Sequence, residues 1–160
     1  MMGRSARRAA SRIGPWCALL LFPAGVLGQL SLFPVQDLAF GQLQAGISGV
    51  VLPSDAARRA ELEFFAGRGQ YSISVVLPSQ LTSIGGANLP LVFATTDGVL
   101  RIPRRNRDST FDPAQPFSFR LNPNDGSALV YLGGTAAPAL AQPPGLYAAT
   151  ITVMVTNTGN

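Results

Sequence analysis

The chain has 160 residues, of which 47% are hydrophobic and only 12% charged, with a formal net charge of +4. That is too apolar and too weakly charged for a disordered protein, whose composition cannot bury enough surface to fold. Histidine is absent, every basic residue is arginine, and the single cysteine is Cys17, so the usual metal clusters and nucleophile–base pairs cannot be built from this chain.

The first 28 residues read as an address. Arg4, Arg7, Arg8 and Arg12 precede an apolar run over residues 16–27, interrupted only by Pro23 and closed by Gly28. A basic start, a short apolar stretch and a small residue before the cut define a secretory signal peptide, and the run is too short for a membrane-spanning helix. Cleavage near Gly28 is expected, which places the mature chain in the periplasm, on the cell surface or in the medium. The leader removes four arginines and Cys17, so the remaining chain carries eight arginines and eight acids. A balanced, exported domain gives no electrostatic basis for nucleic-acid binding. Neither a disulfide nor a cofactor is expected, and the stability of residues 29–160 rests on burial and sheet hydrogen bonds in one domain.

Beyond the leader the dominant period is two. In residues 70–77, Tyr71, Ile73, Val75 and Leu77 alternate with polar residues. Phe117, Phe119 and Leu121 do the same, as do Tyr147, Ala149, Ile151, Val153 and Val155. Successive side chains of a strand point to opposite faces, so each run predicts a strand with one buried face. Shorter strands are predicted at 35–40, 47–52, 60–65, 89–95, 99–102 and 128–132. Between them lie turn signals, among them Gly67-Arg68-Gly69, Asp97-Gly98, Asn124-Asp125-Gly126, Gly133-Gly134 and Pro143-Pro144-Gly145. Asp97-Gly98 predicts a two-residue hairpin. A helical turn or two is expected only within residues 54–63. Many short strands with frequent turns predict an all-β antiparallel sandwich.

Three blocks carry a family resemblance. They are Asp37-Leu38-Ala39-Phe40-Gly41; residues 60–64 with Gly67, Gln70-Tyr71-Ser72-Ile73 and Leu77-Pro78; and Leu132-Gly133-Gly134-Thr135 with Gln142-Pro143-Pro144-Gly145-Leu146-Tyr147 and the closing strand over 150–156. Together they resemble a family of secreted bacterial domains of unknown function, and the ending is similar to spore coat protein U and the archaic chaperone–usher pilins. The resemblance implies an immunoglobulin-like, pilin-like sandwich that lacks one strand, completed by the extended N-terminus of a neighbouring subunit. It also implies other subunits of a surface assembly and a periplasmic chaperone as partners. The corresponding donor segment here is residues 29–35, where Leu30 and Leu32 alternate, although Pro34 removes a backbone N–H. The cysteine pair of the spore coat proteins is missing.

Few residues suit chemistry. Glu61 and Glu63 would share a strand face about 6.6 Å apart, from ~3.3 Å per residue, near the separation of an inverting glycosidase pair. A hydrated strand face explains them more simply, and Trp16, the sole tryptophan, lies in the leader. Arg101, Arg104, Arg105 and Arg107 form the one charge cluster, a candidate loop for an anionic polymer because guanidinium forks fit phosphate and carboxylate. Asn122, Asn124 and Asp125 resemble a fragment of a calcium loop but read more simply as a turn. The leading expectation is a non-enzymatic structural domain acting by strand addition or sheet-edge assembly. The alternative is an autonomous extracellular module that binds an anionic polymer through residues 101–107.

Overall fold

The computed structural model describes residues 30–159, so the expected leader lies outside the described residues. Among the described residues the regular structure is one 3-10 turn, Pro103–Arg105, and thirteen strands: β1 (Ser31–Gln36), β2 (Gly49–Val51), β3 (Ala60–Phe65), β4 (Gly69–Val76), β5 (Gln80–Ser83), β6 (Asn88–Val92), β7 (Gly98–Ile102), β8 (Arg107–Phe111), β9 (Phe117–Leu121), β10 (Ser127–Leu132), β11 (Gly134–Ala136), β12 (Tyr147–Ala148) and β13 (Thr152–Gly159). Every pairing is antiparallel. The strands form three sheets, ordered β1-β3-β10-β7-β8, β12-β5-β6-β11-β2 and β13-β4-β9. The all-β expectation is met, with antiparallel sheets stacked in a manner consistent with a sandwich.

The period-two runs set the layers. Phe64, Leu100, Ile102, Phe111, Val130 and Leu132 from the first sheet meet Tyr71, Ile73, Phe119 and Leu121 from the third in one core. Phe64 stands edge-on to Tyr71 at 5.1 Å and to Phe119 at 5.8 Å between ring centroids, a favoured aromatic geometry. The Tyr71 hydroxyl donates to the Gly67 carbonyl at 2.9 Å, and burial raises its pKa above the usual phenol value. A smaller cluster under the second sheet gathers Leu89, Leu91 and Ala136 with Phe40, Leu43 and Tyr147 packed around them.

Two turn expectations are corrected. Gly133-Gly134 does not reverse the chain. β10 runs through Gly133 into β11 and so passes from the first sheet to the second. Gly133 is required by close approach, because a Cβ there would strike the Val51 carbonyl and lie 2.8 Å from the Pro53 ring. Asp97-Gly98 is not a hairpin either, since β6 pairs with β5 and β11 whereas β7 pairs with β10 and β8. The Asp97 carboxylate instead accepts the Ala94 N–H at 2.7 Å, closing a turn where the chain changes sheets. Residues 54–59 make turns with no helix, and β3 starts at Ala60.

Candidate functional site: an apolar groove beside an unpaired strand edge

β1 stays in register with β3 up to Pro34, then shifts between Pro34 and Gln36 and leaves the sheet. The following irregular segment is held by a hydrogen bond from the Ala39 N–H to the Arg58 carbonyl at 2.8 Å. It turns Leu38, Phe40 and Leu43 towards the interior. The opposite wall is β12 and the beginning of β13. Between these walls lies a groove of about 1150 Å³. Its floor joins the two cores: Ala60, Leu62 and Leu132 at one end, Leu81, Leu89 and Leu91 at the other. Asp37 is the one charged residue that lines it.

The far end of the groove is closed by residues 138–147, and a small network fixes this wall. The Tyr147 hydroxyl donates to the Pro143 carbonyl at 2.6 Å, while the Gln142 amide donates to that hydroxyl at 2.8 Å and to the Asn88 carbonyl at 3.1 Å. Tyr147 therefore anchors the entry of the last strands, as a phenol with one apolar face and one polar tip can. Among the described residues β13 pairs only with β4, so its second edge is open there. Its inward residues Val153 and Val155, with Ile151 just before it, are only partly buried against the main core.

The arginines divide among different tasks. The Arg105 guanidinium binds the carboxylate of Asp125, with Nε at 2.9 Å, and also donates to the Arg120 carbonyl at 3.2 Å. Asp125 additionally accepts the Asn122 N–H at 2.6 Å, and its side chain is only 5% exposed. The bond from Arg105, followed by that from the Asn122 N–H, holds the Asp125 carboxyl below the ordinary carboxylate pKa against the opposing effect of burial. Arg105 is thus a tie between the β7–β8 and β9–β10 connections, and its fork is already filled. Arg101 faces Asp108 at 3.7 Å in an exposed pair across the same hairpin, and Arg104 and Arg107 are exposed. The carboxylate of the Asn122–Asp125 turn is taken up by Arg105. Among the described residues no group of three or more His, Cys, Asp or Glu side chains comes together.

Glu61 and Glu63 share β3, but the groove is lined by Ala60 and Leu62, so the two carboxylates face away from it. Glu61 is held by Arg59 at 3.0 Å, and that guanidinium lies 3.5 Å over the Tyr131 ring. The expected donor residues Leu30 and Leu32 lie at the start of the described chain. Leu32 lies in β1, which pairs with β3 of its own chain, and it packs on the core, while Leu30 directly precedes that strand. The segment expected to be donated is used within the fold, because β1 covers the flank of β3.

No family model matches this chain, and no curated protein matches it. Sequence reasoning found Tyr147 and the inward face of β13 but missed the groove between them and residues 34–43. The available signal was charge: residues 38–54, 69–96 and 126–159 contain no Asp, Glu or Arg.

Proposed function

We propose that this chain is an exported, non-enzymatic structural domain of immunoglobulin-like, pilin-like form that takes part in a surface assembly by accepting a strand along β13. The observation that carries this reading is the apolar groove flanked by the edge of β13 that no described residue pairs. An open strand edge presents free N–H and C=O groups, and pockets beside it select side chains at alternate positions. Each bulky apolar side chain transferred from water into the groove contributes about 1.5–3 kcal/mol. Because the residues around Leu30 and Leu32 are engaged in β1, the added strand belongs to another polypeptide. Another subunit or a periplasmic chaperone supplies it, after removal of the leader near Gly28.

The test uses short synthetic peptides that alternate bulky apolar residues with serine or threonine, and scrambled versions of the same composition. An alternating peptide is expected to raise the thermal unfolding midpoint and slow amide exchange in residues 151–155. Leu62→Glu, which puts a charge on the groove floor, abolishes both effects. Equal responses to alternating and scrambled peptides overturn the proposal.

A further inference from the structure

The sheet edges are not equally guarded. β8 carries Arg107 and Asp108, β9 carries Arg120, β1 contains Pro34, and β2 and β12 have three and two residues. Charge, proline and short length are the usual means by which edges avoid pairing with another chain. β13 has none of these: it has eight residues and neither a charge nor a proline. Its outer face, Thr152, Met154 and Thr156, lies beside Val76, Ser74 and Ser72 of β4. Met154 is 50% exposed there.

The sequence of this edge is also self-complementary. Thr152-Val153-Met154-Val155-Thr156 reads the same in both directions. A two-fold interface requires that residue i meet j while j meets i. An antiparallel pair centred on Met154 satisfies that requirement with threonine opposite threonine and valine opposite valine. Thr–Thr pairs across strands are favourable, and the absence of charge removes like-charge repulsion. The match ends where Ile151 would meet Asn157, next to the register shift between Asn157 and Gly159.

From this edge we infer that β13 pairs with β13 of a second copy, antiparallel about a two-fold axis at Met154, whenever no other strand occupies it. The dimer joins β9-β4-β13 of each copy into one continuous sheet. It places Val155 of the second copy beside Val153, at the margin of the groove. The inference goes beyond strand acceptance and stands on the edge itself, so either can fail without the other.

The experiment uses the full chain with Cys17→Ser, so that an introduced cysteine is alone whether or not the leader is removed. Directly opposite residues of an antiparallel pair have Cα atoms about 4.5–5.5 Å apart, within disulfide reach. Under mild oxidation Met154→Cys is expected to cross-link to its counterpart in large excess over Thr158→Cys, whose counterpart lies about 26 Å away at ~3.3 Å per residue. Sedimentation should show the mass of the parent doubling as its concentration rises. Met154→Lys, which sets two cations opposite each other on an exposed face, should lose that doubling while still folding. A single copy at every concentration, a dimer that survives Met154→Lys, or equal cross-linking at 154 and 158 overturns the inference. Peptide binding by a strictly monomeric chain rejects the dimer and leaves strand acceptance standing; a dimer indifferent to peptides does the reverse.

Discussion

Replacing Asp125 by alanine tests whether the Arg105–Asp125 tie stabilises the fold. Asp125 accepts from the Arg105 fork and from the Asn122 N–H, and its side chain is almost fully buried. A charge-assisted hydrogen bond contributes about 1.5–3 kcal/mol. Breaking a fully buried pair costs about 3–5 kcal/mol, because the remaining charge is stranded. Arg105 keeps 29% of its side chain in solvent and its bond to Arg120, so the stranded-charge penalty is reduced. Asp125→Ala should therefore cost about 2–3 kcal/mol in urea unfolding at neutral pH. The pH dependence has a definite sense. The folded pKa of Asp125 lies below its unfolded value of about 3.9, so the unfolded state binds more protons. Its contribution is complete well above that value and is lost as pH falls through the folded pKa. Asp125→Asn should accordingly flatten part of the acid limb of the stability curve. A loss below about 0.5 kcal/mol in Asp125→Ala, the range of an ordinary surface change, or an unchanged acid limb in Asp125→Asn, would refute the argument.

Three further outcomes follow from packing. Gly133→Ala forces a methyl group against the Val51 carbonyl and Pro53 and should cost at least about 2 kcal/mol by denaturant melt, whereas Gly85→Ala, whose Cβ meets only Ser83 Oγ at 3.8 Å, should be near neutral. Phe64→Ala removes a ring that is 1% exposed and touches both Tyr71 and Phe119, with an expected loss of about 3–5 kcal/mol by the same measurement. Tyr147→Phe deletes the donor to the Pro143 carbonyl and the acceptor for Gln142; it should cost about 1 kcal/mol and speed amide exchange in residues 139–147, because the groove's end wall loses its tie.

Where side chains alternate cleanly, the strands were legible: β3, β4, β9 and β10 fall on or within a residue or so of the runs read from the sequence, whereas the closing run, read as one strand from Tyr147 to Thr156, is broken at 149–151 into β12 and the first part of β13, which join different sheets. β8 escaped notice because it is an edge strand with one buried residue, Phe111, and a polar remainder. β5 and β11 have four and three residues, too few for a period to register. Gly133 and Asp97-Gly98 misled for another reason. Glycine signals either a reversal or a close approach, and only the packing of Val51 and Pro53 against Gly133 selects the second. The groove was the least legible feature, since its walls come from residues 34–43 and 147–153, more than a hundred positions apart. The Arg105–Asp125 tie was equally hidden. Its partners are twenty positions apart, on turns that each read alone as solvated.

The placement of charge bears on how such an edge could persist. After residue 37 the charged side chains are confined to 55–68 and 97–125, which supply most of the first sheet, β9 and the turns between them. Charge thus guards the edges at β8 and β9, and Pro34 the edge at β1. β13, its neighbour β4 and the whole second sheet have no such protection. An exposed, uncharged edge is an aggregation hazard unless something covers it in the working state. A second copy and a donated strand would compete for that edge, and the apparent affinity for the donor falls with the fraction of edges left free. Strand exchange would then be favoured by delivery of the donor at high local concentration, because tethering or docking makes its arrival effectively intramolecular. A self-paired β13 would thus make assembly depend on how the donor is presented as well as on how well its side chains fit the groove.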